Sequence, residues 1–128
     1  MNFRILLVEN DDESASSIKE HLEMMSYYID ISNSVQEAIH RIKNIKYSLI
    51  LLKIELSDFH GFEVLRYLNK NKIFIPVIVL SESSDLKTTL QAFRFGAVDY
   101  MVKPIDLDEL EARISVKLWI LSNKLRLI

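Results

Sequence analysis

Four groups of polar residues each close an apolar run in this chain, and their types suit a site that pairs charges or handles an anion. Glu9-Asn10-Asp11-Asp12 follows Ile5 to Val8, Lys53 closes the run Tyr47 to Leu52 with Glu55 just beyond it, Ser81-Glu82 follows Val77 to Leu80, and Lys103 follows Asp99 to Val102. Carboxylates can hold a cation or pair with ammonium groups. Here the two lysines can balance Glu9, Asp11 and either Glu55 or Glu82 directly, so the expectation is an internal cluster of Lys53 with Glu9 or Asp11 and no bound metal or cofactor. Two unit charges ~4 Å apart attract by roughly 4 kcal/mol at an effective dielectric of about 20, before desolvation, which makes an ammonium in place of a metal physically reasonable. Ser81 supplies a hydroxyl. None of His21, His40 or His60 stands at another of these strand ends where it could serve as a base, so Ser81 reads as a structural hydroxyl rather than a nucleophile, and no enzymatic activity is expected.

The elements that must position these groups follow from the periodicity. Phe3 to Val8, Tyr28 to Ile31, Tyr47 to Leu52, Val77 to Leu80 and Asp99 to Val102 read as strands. The nearly unbroken apolar run Tyr47 to Leu52 is that of a strand buried on both faces, and Val77 to Leu80 reads as another buried strand. Between them, apolar residues recur at helical spacing. Ile18, Leu22 and Met25 follow a cap at Asp12 or Ser14; Val35, Ala38, Ile39 and Ile42 follow Asn33 or Ser34; Phe62, Val64, Leu65 and Leu68 follow Gly61. Leu86, Leu90, Phe93 and Phe95 form the apolar side of a fourth helix that Gly96 ends, and a last helix starts at Asp106 or Asp108. Five strand-helix units in sequence predict an α/β fold, a doubly wound parallel sheet with helices on both faces. The carboxyl ends of such strands form one rim, and neighbouring strands lie ~4.8 Å apart, so the polar groups share a crevice.

Composition narrows the function classes. The chain has 128 residues, 49% of them hydrophobic, with two glycines and two prolines, the profile of one globular domain. It has no cysteine, which excludes disulfides, thiol catalysis and cysteine-ligated metals and suits a cytoplasmic setting. No secretory core follows the N-terminus, because the acidic stretch begins directly after Val8. The formal charge of −2 and the lack of a local basic cluster in the linear sequence argue against direct nucleic-acid binding.

Taken together, Ile5-Leu-Leu-Val8 with its acidic residues, the strand ending at Lys53 followed by Gly61, Pro76-Val-Ile-Val-Leu-Ser81, and Gly96-Ala-Val-Asp-Tyr-Met-Val-Lys103-Pro104 resemble a response-regulator receiver domain over essentially the whole chain. The resemblance implies a flavodoxin-like sheet of order 2-1-3-4-5. It also implies an acidic pair that helps hold Mg²⁺, an aspartate phosphorylated by a histidine kinase, a Ser/Thr and a Lys that bind the phosphoryl group, and an aromatic switch; the last three match Ser81, Lys103 and Tyr100. The departures concentrate in the site. Lys53 stands at the position of the phosphoacceptor aspartate, and an ammonium has no lone pair with which to attack phosphorus. Glu9 matches the first acidic residue, but Asn10 takes the metal-ligand position and displaces Asp11 by one, a poor set for a hard cation. Glu82 is long and negative where a small residue leaves room for a phosphodonor. The expectation is an atypical receiver working without phosphorylation. Two alternatives are a phosphorylatable receiver that uses Asp11, Glu55 or Asp58 as acceptor, and a flavin- or nucleotide-binding flavodoxin-like protein. The latter lacks a glycine-rich or hydroxyl-rich phosphate loop after the first strand.

The last helix carries a second signal. Ile114, Leu118, Leu121, Leu125 and Ile128 recur as a seam, while Val116, Trp119, Ile120 and Leu127 form another apolar strip. One strip can pack on the sheet, and an exposed strip with a tryptophan reads as an interface. Receivers of winged-helix transcription factors commonly dimerise through the fourth helix, fifth strand and fifth helix using acid-base pairs. Asp99 and Arg113 match two such positions, whereas Val98 and Trp119 replace charged ones. A homodimer through Asp99, Arg113, Val98, Trp119 and Ile120 is therefore expected. Residues 1–121 read as the receiver-like domain and 122–128 as an extension of the last helix, leading toward a linker and a DNA-binding output module beyond this sequence.

Overall fold

The computed structural model describes residues 3–123. Its elements are β1 (Arg4–Val8), α1 (Asp12–Met24), β2 (Tyr28–Ser32), α2 (Val35–Asn44), β3 (Leu49–Lys53), α3 (Phe62–Lys70), β4 (Val77–Ser81), α4 (Leu86–Arg94), β5 (Asp99–Val102) and α5 (Leu107–Asn123). All five strands are parallel in the order β2-β1-β3-β4-β5. The expected fold class and strand order hold. Leu125, Leu127 and Ile128 of the expected apolar strips, and most of the proposed extension 122–128, lie outside the described residues.

Alternation along the strands divides the core into two layers. Ile5, Leu7, Leu49, Leu51, Ile78 and Leu80 pack with residues of α1 and α5. Leu6, Val8, Ile50, Leu52, Val77 and Val79 face the other way, toward α2, α3 and Ala92 of α4. Central strands buried on both faces explain the apolar runs in the sequence. Val8 pairs in register with Leu52, Lys53 with Leu80, and Ser81 with Val102, so the polar groups emerge together at one end of the sheet.

The helix starts are set by side chains, and two differ from expectation. Asp11, not Asp12 or Ser14, caps α1, its carboxylate accepting the Ser14 N–H at 2.9 Å. At α2, Ser34 accepts the Glu37 N–H at 3.1 Å as expected, but Asp58, from the loop after β3, accepts the N–H groups of Val35 and Gln36 at 3.0 and 3.1 Å. Three otherwise unpaired donors of that helix end are satisfied, two of them across the fold. Asp106 starts α5 by accepting the Glu109 N–H at 3.0 Å.

Gly61 is required for a steric reason. A Cβ there would lie 2.5 Å from Ile54 Cα and 2.6 Å from the Lys53 carbonyl oxygen. The start of α3 thus rests directly on the backbone that delivers Lys53.

Helix α4 buries little. Only Ala92 is buried, while Leu86, Leu90 and Phe93 are exposed. Its apolar strip faces outward.

Candidate functional site

Glu9 is the centre of the carboxyl-edge crevice. Its side chain is fully buried one step past β1, where an isolated carboxylate would be costly. Oε1 accepts from Lys103 Nζ, and Oε2 lies 3.5 Å from Lys53 Nζ and accepts the Asn10 N–H at 3.0 Å. Lys53, whose side chain is only 8% exposed, also reaches Glu82 Oε1 at 3.7 Å. Two ammonium groups thus stand against the carboxylates of Glu9 and Glu82, an arrangement that offsets the desolvation of the buried members. The expected pairing of Lys53 with Glu9 is present.

Asp11 and Glu55 are placed otherwise than expected. The Asp11 carboxylate caps α1 and lies in no ion pair with either lysine; the Ser14 N–H and hydroxyl hold it below the usual aspartate range, with smaller contributions from the charges of Lys103 and Lys53. Glu55 pairs with neither lysine. Its Oε2 accepts the Ser81 hydroxyl at 2.7 Å and its Oε1 accepts the Glu82 N–H at 3.2 Å, so one carboxylate takes up the donors at the end of β4. The Ser81 oxygen in turn accepts the Ser83 N–H at 3.0 Å. Spacing could not reveal this, because Glu55 sits two residues beyond β3 and its reach depends on the turn that follows.

The β4–α4 loop connects this carboxylate to Tyr100. The half-buried phenol donates to the Ser83 carbonyl oxygen at 2.7 Å. A chain of contacts therefore runs from Glu55 through Ser81 and Ser83 to the edge strand β5.

Asn10 contributes little to a metal site. Its Nδ2 lies 3.4 Å from Ser57 Oγ, and its buried Oδ1 has no partner among the described residues. Among those residues no group of three or more His, Cys, Asp or Glu side chains is arranged to hold a metal ion. Asp58 has both oxygens engaged at α2, and His60 Nδ1 accepts the Phe62 N–H at 3.1 Å at the start of α3. No helix of the described residues is long and apolar enough to cross a membrane.

At the expected dimer face, Asp99 is buried rather than displayed. Arg113 Nη1 donates to its two oxygens at 2.9 and 3.0 Å, and Lys117 Nζ lies 3.8 Å away. The acid-base pair that the resemblance assigns between subunits is closed within one chain. Around it Val98, Val102, Val116, Trp119 and Ile120 remain exposed, Trp119 at 66%. Ile114 and Leu118 of the other strip are buried in the core, as expected.

A five-stranded doubly wound sheet with acid, lysine and hydroxyl groups gathered at its carboxyl edge defines a receiver-type signalling domain. A family model described as the response regulator receiver domain matches residues 5–115, and the chain belongs to that family. The cell cycle response regulators CtrA of Brucella ovis and Brucella anthropi are 39% identical over 111 residues, covering 87% of this chain and 48% of theirs. The chain spans about half the length of these curated relatives. Among solved structures, a CheY-like receiver domain protein from Methanospirillum hungatei superposes with a TM-score of 0.91 at 27% identity, over 97% of this chain and 99% of the other. A two-component response regulator from Clostridium difficile gives 0.85 at 30% identity, over 89% and 93%.

Proposed function

We infer that this receiver domain acts without phosphotransfer, as a regulatory and dimerisation module whose switch is set by its own side chains. The observation that carries this reading is the pair of substitutes in the crevice. Lys53 supplies the positive charge beside Glu9 that a metal would otherwise bring, and Glu55 occupies the Ser81 hydroxyl that, by the family resemblance, would receive a phosphoryl group. The phosphoacceptor position is then an ammonium, and the anion-binding donors are already filled. Asp11 and Asp58 are poor alternative acceptors because each carboxylate caps a helix, and Glu55 is tied to Ser81. This is the work of a signalling module rather than an enzyme.

The output of such a module is its surface. With Tyr100 held on the Ser83 carbonyl, β5 and its flanking helices present Leu90, Phe93, Val98, Val102, Trp119 and Ile120 to solvent. An apolar face of this kind fits a homodimer. Because Asp99 and Arg113 are already paired, the contacts between subunits would be mainly apolar. By analogy with the CtrA relatives, the domain would serve a cell cycle response regulator, and a DNA-binding output domain is the partner that the family resemblance implies. Sedimentation equilibrium without any phosphodonor tests the reading: a dimer at micromolar concentration supports it, and a monomer at high micromolar concentration overturns it.

A further inference from the structure

The opposite end of the sheet carries a second surface that the crevice does not use. A groove of about 600 Å³ opens between the segment entering β3 and the segment entering β4; Ile42, Lys43, Ile45 and Lys46 line one side, Ile73 and Phe74 the other. Phe74 is 93% exposed, the most exposed large apolar side chain among the described residues. Ile45, Ile73 and Ile75 are only partly buried against the core, so the groove has apolar walls open to water.

The charge around it has one sign. Residues 38–54 and 64–81 contain no aspartate or glutamate, although the chain as a whole has 18 acidic against 16 basic residues. Lys43, Lys46, Lys70 and Lys72 stand in these stretches, and among the described residues none lies in an ion pair. Asp30, which accepts the hydroxyl of the groove residue Tyr47 at 2.7 Å, is already matched by Arg4 at 3.0 Å and Arg41 at 3.9 Å. The linear sequence showed no basic cluster because the lysines come from two separate segments. Folding brings those segments side by side ahead of the adjacent strands β3 and β4.

We propose that this groove binds an acidic peptide segment of a partner protein, seating one apolar side chain between Phe74 and the Ile45 wall and placing flanking carboxylates against Lys43 and Lys46. The two-walled apolar shape suits a single anchored side chain better than a flat bilayer or a nucleotide backbone. The lysines supply selection by charge, since a basic segment would meet like charge. The surface lies at the amino ends of the strands, away from Lys53 and Glu55, and is independent of the crevice.

The test is fluorescence anisotropy of the whole chain with a fluorescein-labelled peptide in which glutamates and aspartates flank a central Phe-Leu pair. Two control peptides carry serines in place of that pair or lysines in place of the acids. Phe74→Ser and the double variant Lys43→Glu/Lys46→Glu alter solvent-exposed side chains and are checked for native circular dichroism. The acidic-apolar peptide is expected to bind at micromolar concentration, and each variant to weaken it by about tenfold or more. The serine control should bind weakly and the lysine control not at all. No binding by the acidic-apolar peptide, equal binding by the serine control, or binding unchanged in both variants overturns the proposal. Tighter, Phe74-dependent binding of a labelled oligodeoxythymidine or of phosphatidylglycerol vesicles would also overturn it, in favour of a nucleic-acid or membrane surface.

Discussion

Ser81 Oγ donates to Glu55 Oε2 at 2.7 Å, and the same carboxylate accepts the Glu82 N–H. The hydroxyl and amide at the end of β4 are thereby occupied by a side chain that arrives from the end of β3. That contact links the crevice to Tyr100 through Ser83.

Removing either partner should loosen this link. Glu55→Ala leaves the Ser81 hydroxyl and the Glu82 N–H unpaired, and Ser81→Ala leaves the carboxylate with one donor. Each should lower stability by about 1.5–3 kcal/mol in urea unfolding, the range for a hydrogen bond to a charged group. The double variant should cost about 1 kcal/mol less than the sum of the two, because the residues act as a pair. In both single variants the NMR ring signals of Tyr100 should broaden or shift; unchanged signals would separate Tyr100 from the crevice.

Lys53 balances a buried carboxylate and should not be dispensable. Lys53→Met leaves Glu9 with Lys103 alone, and a loss of about 2 kcal/mol is expected, below the full cost of breaking a buried pair because one cation remains. Added magnesium should leave the melting temperature of the native chain unchanged. It should raise that of Lys53→Asp, in which two carboxylates share the crevice. Thermal unfolding with and without magnesium checks both statements.

Much of this architecture can be read along the chain, and the exceptions have physical causes. Runs such as Ile5 to Val8 and Val77 to Leu80 announce buried strands, so a parallel sheet with a shared rim could be read from the residues, while the strand order came from the family resemblance. The Lys53–Glu9 pair was legible because both residues end neighbouring strands. Asp58 reaching the start of α2 was not, since its partners lie 22 and 23 residues earlier and only folding brings them together. Helix α4 shows another limit: the spacing of Leu86, Leu90 and Phe93 is the same whether the strip meets the core or a partner. The Glu55–Ser81 contact depended on a turn whose course the residue pattern leaves open.

Asp58 gives the fold an acid-sensitive tie. Burial raises its carboxyl, but the N–H groups of Val35 and Gln36 outweigh this and hold it below the ordinary aspartate value. A carboxyl depressed on folding adds stability that is fully present above its unfolded pKa of about 3.9 and fades as pH falls through the lower folded value. Asp58→Ala should therefore cost about 1 kcal/mol near neutrality, the usual size for lost helix-end capping. Below about pH 4 the difference between variant and native chain should shrink. Urea titrations across that window measure it.

The apolar face beside β5 should govern assembly. Trp119→Glu puts a charge on a side chain that is 66% exposed, so the monomer fold should be retained while the dimer dissociates by about tenfold or more. Arg113→Ala should act differently, lowering monomer stability by freeing the buried Asp99 rather than by cutting a bond between subunits. Sedimentation and urea unfolding of the two variants distinguish these effects.

The central claim is that the crevice neither needs nor accepts a phosphoryl group, and intact-mass spectrometry tests it most directly. The native chain is incubated with acetyl phosphate and magnesium beside a phosphorylatable receiver as positive control. The account predicts that its mass stays unchanged while the control gains one phosphoryl group. A phosphoryl adduct that maps to Asp11, Glu55 or Asp58 would contradict it.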